Sequence, residues 1–154
     1  MSIANGIWPT MITPYTGDNQ IDYDQTERLV EWYAENGMTG IFAMCQSSEM
    51  YFLSEQERLD LIRFILRVNR GRMDVVVAGT VENRLEEQIA FGKKAAELGP
   101  KAVVFLRNRL SDDFAGDLKK IMKAMPADMP LGMYECPYPF KRYLTDDEIR
   151  IVAD

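Results

Sequence analysis

Two periodicities run along this chain. Short continuous apolar runs, bounded by glycine, proline or polar clusters, read as buried parallel strands. Longer stretches with apolar residues three and four apart read as helices. The clearest unit lies between Gly40 and Arg58. Residues 41–44 form a strand, and Cys45, Gln46, Ser47, Ser48 and Glu49 form a polar loop after it. Ser54-x-x-Glu57 is then a capping box that opens a helix to about residue 69. Its stripe is Leu59, Ile62, Ile65, Leu66 and Val68, and Gly71 ends it.

The same grammar repeats. Residues 6–15 read as a first strand, short or bulged because of Pro9 and Pro14. After a turn at 16–20, Asp22-x-x-Gln25 opens a helix carrying Leu29, Val30, Trp32 and Tyr33, which stops at Asn36-Gly37. Residues 74–80 are a β-branched strand. Asn83 with Glu86 caps a third helix, with Leu85, Ile89, Ala90 and Leu98, and Gly99-Pro100 stops it. Residues 102–106 are a fourth strand. Ser111 caps a helix with Phe114, Leu118, Ile121 and Met122. Residues 130–136 are a fifth strand, 137–143 a loop of prolines and aromatics, and Thr145-x-x-Glu148 starts a last helix. The expected organisation is one domain over residues 1–154, built of βα units about 30 residues long. An open doubly wound sheet of flavodoxin type and part of a (β/α)8 barrel both fit. Length favours the first, since a whole barrel takes about 250 residues. The barely started fifth helix, and the lack of a Gly-x-Gly-x-x-Gly or Walker phosphate loop, favour the second. Periodicity leaves both open.

Composition narrows the function. The 154 residues are 47% hydrophobic and 27% charged, with a formal charge of -6. That excess of acid disfavours nucleic acid and anionic membranes as partners. The most basic stretch, Arg63, Arg67, Arg70 and Arg72, reads as a solvated helix face. There is no histidine, which excludes histidine-based metal sites and triads, and no metal or cofactor is expected. Cys45 and Cys136 make no disulfide framework and read as small buried hydrophobes. No leader pattern opens the chain and no apolar run approaches a membrane span, so the expected compartment is the cytoplasm.

Four stretches then carry a resemblance. Residues 6–15, Gly-Ile-Trp-Pro-Thr-Met-Ile-Thr-Pro-Tyr, are followed by Ile21-Asp22. Cys45-Gln-Ser-Ser-Glu49 precedes Leu53-Ser-x-x-Glu57. Ala78-Gly-Thr80 and Tyr134-Glu-Cys-Pro137 complete the set. Together they resemble the dihydrodipicolinate synthase / N-acetylneuraminate lyase family of class I aldolases, in which the second stretch reads Gly-Thr-Thr-Gly-Glu and the fourth Tyr-Asn-x-Pro. The resemblance implies a (β/α)8 TIM barrel of which this chain holds about the first five strands. It also implies a lyase acting on a 2-oxo acid such as pyruvate, and a homo-oligomer, commonly a tetramer. The family's Schiff-base lysine lies on strand six, which is expected beyond Asp154. On that reading the chain is a fragment or a truncated product, and inactive alone.

Residue by residue, the resemblance implies Tyr134 as the catalytic hydroxyl that moves protons and Ser47 as the carboxylate binder. Ser48 and the loop N–H groups are further donors to the carboxylate. Gln46, the third expected substrate-binding residue, stands at the family's proton-relay threonine; glutamine can hydrogen-bond to substrate but cannot relay a proton as a hydroxyl does. Glu49 is expected to hold the loop in shape, and Thr80 to be structural at the site. Glu49 and Glu135, both at strand ends, form a second acid–base possibility. Two features of the family's synthase branch are missing: a tyrosine after strand four, where Phe105-Leu-Arg-Asn108 stands, and an arginine after the Tyr-Asn-x-Pro stretch, which there grips the second substrate. Lys141 or Arg142 could replace that arginine, but both read first as solvated loop charges. The departures point away from dihydrodipicolinate synthesis itself and toward another 2-oxo acid aldolase or dehydratase. A catalytically silent binding or regulatory relative is the second reading, and an unrelated flavodoxin-like binding domain the third.

Overall fold

The computed structural model describes residues 3–135 and 142–153. Among the described residues five α-helices and four strands alternate: α1 (Tyr23–Glu35), β1 (Gly40–Phe42), α2 (Glu55–Asn69), β2 (Asp74–Ala78), α3 (Leu85–Ala96), β3 (Ala102–Leu106), α4 (Phe114–Ala124), β4 (Leu131–Tyr134) and α5 (Asp146–Ala153). The strands form a parallel sheet in the order β1-β2-β3-β4. Doubly wound sheets reverse their strand order at a switch point. This sheet has no reversal, so its winding is that of a barrel and not that of a flavodoxin-like fold. The chain divides into two compact units, Met1–Val77 with Leu98–Lys101, and Ala78–Glu97 with Ala102–Asp154.

In the first unit β1 pairs with β2 in parallel, Ile41 opposite Val75 and Phe42 opposite Val76. The expected first strand is reduced to an isolated parallel bridge, Thr10 to Phe42. Phe42 N–H donates to Pro9 O at 2.9 Å, and Met11 N–H donates back to Phe42 O at 2.9 Å. Pro9 and Pro14 have no N–H to extend that ladder. Helix α1 starts where Asp22 accepts from Gln25 N–H at 2.9 Å. Helix α2 starts in a complete capping box: Ser54 N–H donates to Glu57 Oε2 at 2.8 Å and Glu57 N–H to Ser54 Oγ at 3.3 Å. The two helices pack on each other, with the Tyr23 and Phe64 rings 4.7 Å apart. The buried face of α2 carries Leu61, Ile62, Ile65 and Val68, while Leu59 and Leu66 are half-buried. Trp32, expected on the inner face of α1, is exposed. Arg63, Arg67, Arg70 and Arg72 are all exposed, as their spacing predicts.

In the second unit β3 pairs with β4 in parallel, from Val103 opposite Leu131 to Leu106 opposite Tyr134. Helix α3 packs on β3 and α4, and α4 packs on α5. Phe91, Phe105 and Ile121 anchor this core. Two expected caps are not formed. Arg84 is the N-cap of α3, without a side-chain bond, because Asn83 Oδ1 accepts from Arg109 Nη1 at 2.8 Å. Asp113 caps α4 by accepting from Gly116 N–H at 3.1 Å, while Ser111 N–H donates to Asp117 Oδ2 at 2.7 Å. The buried face of α3 is Gln88, Phe91, Gly92, Ala95 and Ala96. Ile89 is half-buried and Ala90 exposed. Cys136 and the loop residues through Lys141 lie outside the described residues.

Candidate functional site

In α/β folds of this winding, ligands bind at the carboxyl ends of the strands. Beyond the end of β1, residues 46–48 make a single 3₁₀ turn. The turn closes through Ser48 N–H to Cys45 O and Glu49 N–H to Gln46 O, both at 3.0 Å. Glu49 sits in the left-handed region, with φ 56°. It brings together four of the expected site residues. Ser47 and Glu49 are exposed, Gln46 is half-buried, and Ser48 is buried.

The side chain that holds this turn is Ser48. Its hydroxyl donates to Met11 O at 2.7 Å and accepts from Cys45 N–H at 3.1 Å. Thr13 Oγ1 donates to Ser48 O at 2.8 Å. Glu49 shapes the turn through its backbone, and its carboxylate helps raise the Tyr15 hydroxyl pKa, after partial burial. Gln46 Nε2 donates to the Tyr51 hydroxyl at 3.3 Å. Cys45 is a buried free thiol, 3.5 Å from Ser48 Oγ. Tyr33 is buried as well; burial first and then Cys45 raise its hydroxyl pKa.

The second unit holds the other expected residues. Gly79 N–H donates to Val104 O at 2.8 Å. Thr80 is fully buried, and its Oγ1 accepts from Leu106 N–H at 2.9 Å. Leu106 stands opposite Tyr134 in the ladder. Tyr134 is half-buried at the end of β4. Glu135, next in the chain, accepts from Leu144 N–H, which engages its carboxylate with the backbone beyond the loop.

One cluster was not read from the sequence. Arg107, the first residue after β3, is fully buried. Its Nε and Nη2 donate to Glu148 Oε1 at 2.9 and 2.5 Å. Its Nη1 donates to Leu110 O and Ser111 O, each at 3.2 Å, and its guanidinium lies 4.8 Å from the Phe114 ring centroid. Arg142 joins through Nη2 to Glu148 at 3.3 Å and Nη1 to Asp112 at 3.0 Å. It is therefore a paired charge of this cluster and not a free loop charge. Hydrogen bonding from Arg107 holds the Glu148 carboxyl below its ordinary value, against the opposing effect of burial. The only available signal was the Thr145-x-x-Glu148 box, which marks Glu148 as a cap and says nothing of Arg107.

Among the described residues, no group of three or more acidic, cysteine or histidine side chains could hold a metal ion. No helix among them is long and apolar enough to cross a membrane.

Comparison with known proteins places these features in a lineage. The family model for the dihydrodipicolinate synthetase family matches residues 3–137. A 4-hydroxy-tetrahydrodipicolinate synthase of Brachyspira hyodysenteriae is 35% identical over 104 residues, which is 68% of this chain and 35% of that protein. The crystal structure of a dihydrodipicolinate synthase of Bacillus anthracis superposes with a TM-score of 0.88 at 26% identity, over 99% of this chain and 53% of that one. The dihydrodipicolinate synthase of Acinetobacter baumannii, solved in complex with pyruvate, gives 0.83 at 27% identity, over 97% and 52%. The chain thus spans about half the length of these solved relatives or less of the curated one. Its parallel α/β sheet corresponds to the N-terminal part of their TIM barrel. By sequence motif, strand order and family model alike, this chain belongs to the dihydrodipicolinate synthetase family.

Proposed function

We propose that the complete protein is a lyase that acts on a 2-oxo acid such as pyruvate through a lysine Schiff base, the lysine lying beyond residue 154. The observation that carries this reading is the likeness, over 97% of the chain, to a synthase solved with pyruvate bound. On this reading the Ser47 hydroxyl binds the substrate carboxylate and Tyr134 moves protons at the substrate. The lysine amine condenses with the ketone carbonyl and releases water, and the iminium then accepts the electron pair of the adjacent C–C bond. Residues 1–154 alone carry the carboxylate donor and the tyrosine, and are inactive without the lysine.

The proton relay differs from that of the family's synthase branch. Gln46 occupies the relay position and is bonded to Tyr51; Arg107, after β3, is committed to Glu148. Neither provides a hydroxyl relay. That favours another aldolase or dehydratase and keeps a silent, ligand-binding relative as the second reading. We further propose a cytoplasmic homo-oligomer. Borohydride reduction of the full-length protein with pyruvate tests the chemistry: a mass adduct on one lysine is expected. No adduct, with pyruvate still bound, would establish the silent reading instead.

A further inference from the structure

The geometry points to Ser48 as a positioning residue that fixes Ser47 and does not itself touch substrate. This rests on the 2-oxo acid reading of Ser47 and assigns the neighbouring serine a different task. A serine hydroxyl has one proton to donate. Here that proton faces Met11 O at 2.7 Å, with Ala43 O more distant at 3.4 Å. An oxygen lone pair takes the Cys45 N–H at 3.1 Å. Ser48 is only 1% exposed, so no donor remains for a ligand.

The bonds lie on both sides of Ser47. Cys45 N–H is pinned before it, and Ser48 Oγ and Ser48 O are pinned after it, the latter by Thr13 Oγ1 at 2.8 Å. The short turn that carries Ser47 is thereby tied to residues 11 and 13. The family's loop has glycine at the position of Ser48, and glycine has no hydroxyl to make this tie. This chain adds a brace. A binding hydroxyl must be held to about 0.5 Å by groups that are themselves packed and bonded. Ser48 is buried, bonded and adjacent to it.

The test uses the isotope-labelled full-length protein titrated with pyruvate, followed by NMR at the Ser47 amide, with unfolding midpoints measured in parallel. Ser48→Ala is expected to weaken pyruvate binding roughly two- to tenfold, the cost of ordering on binding a turn that the wild type holds in place beforehand. Thr13→Val should act in the same direction, while Thr13→Ser keeps the donor and the affinity. A residue with a merely structural role would lower the unfolding midpoint and leave the affinity of the folded protein unchanged. Should Ser48→Ala fail to fold, the Thr13 pair decides. Wild-type affinity in Thr13→Val and in any folded Ser48→Ala overturns the proposal while leaving the function standing. No pyruvate response at Ser47 in the wild type removes the carboxylate-binder reading and this inference together.

Discussion

Arg107 and Glu148, forty-one residues apart in the chain, meet in the interior of the second unit with Nη2 2.5 Å from Oε1. The pair joins the loop after β3 to the start of α5. Its worth lies in completeness. Arg107 spends its remaining bonds on two loop carbonyls, and Glu148 Oε2 accepts Thr145 N–H at 2.9 Å. A buried ion pair survives desolvation only when its other donors and acceptors are also satisfied. Glu148→Ala leaves a guanidinium buried without its charge partner. We expect a loss of about 3–5 kcal/mol, measured by urea unfolding. Arg142→Ala removes a part-exposed guanidinium that shares Glu148 with Arg107 and meets the solvated Asp112; it leaves Glu148 paired and should cost about 1 kcal/mol. Equal effects from the two variants would show that the buried pair has no special weight.

The same carboxylate sets an acid limit. Hydrogen bonding from Arg107 is the largest influence on Glu148 and lowers its pKa from the ordinary 4.5. A lowered folded-state value means that the unfolded chain takes up the proton first. The contribution is therefore fully present above the unfolded value and lost as pH falls through the folded one. Glu148→Gln cannot titrate there. The stability difference between wild type and Glu148→Gln should be constant near neutrality and shrink below about pH 4.5. Urea midpoints between neutral and acid pH measure it; a difference that widens toward acid would reverse the assignment.

Thr80 makes a simpler case. Its Oγ1 is the acceptor for the buried Leu106 N–H. Thr80→Val keeps the volume and removes that acceptor, leaving a backbone donor unsatisfied, at a cost of about 1–3 kcal/mol. Thr80→Ser should retain most of the stability and keep the Leu106 amide protected from hydrogen exchange. Equal exchange of that amide in both variants would show that the hydroxyl is not its partner in solution.

What could be read from the chain was local. Residues 102–106 are β3 as expected: five apolar residues between Gly99-Pro100 and Arg107 are too few for a helix. Asp22, Ser54 and Thr145 bond within three or four residues, so their boxes are legible. Asn83 with Glu86 has the same local signature, but Arg109 takes its Oδ1; at α4 the cap falls to Asp113, two residues after Ser111. The inner face of α3 is chosen by what it meets. Gly92 lets the helix sit near Phe105 and Met125; an added Cβ would stand 3.2 and 2.9 Å from them. The candidate turn was legible as a polar loop. That its buried member is Ser48, and its tether Met11 and Thr13, depends on contacts 35 and 37 residues away in sequence.

Gly79 ties the family's Ala-Gly-Thr stretch to packing. A Cβ placed there would be 2.7 Å from Phe105 Cζ and 2.8 Å from Val103 Cγ1. Both neighbours are buried side chains of β3, so neither can swing aside into solvent. Gly79 lies outside the positive-φ glycines, which makes the obstruction steric and not conformational. Gly79→Ala should then cost about 1–3 kcal/mol by overpacking. Phe105→Leu removes the ring atoms that cause the nearest clash. Added to Gly79→Ala, it should cost less than it does alone, a coupling of about 0.5 kcal/mol or more in a double-mutant cycle. Strict additivity of the two substitutions would mean that the glycine serves the backbone and not the approach of the Phe105 ring.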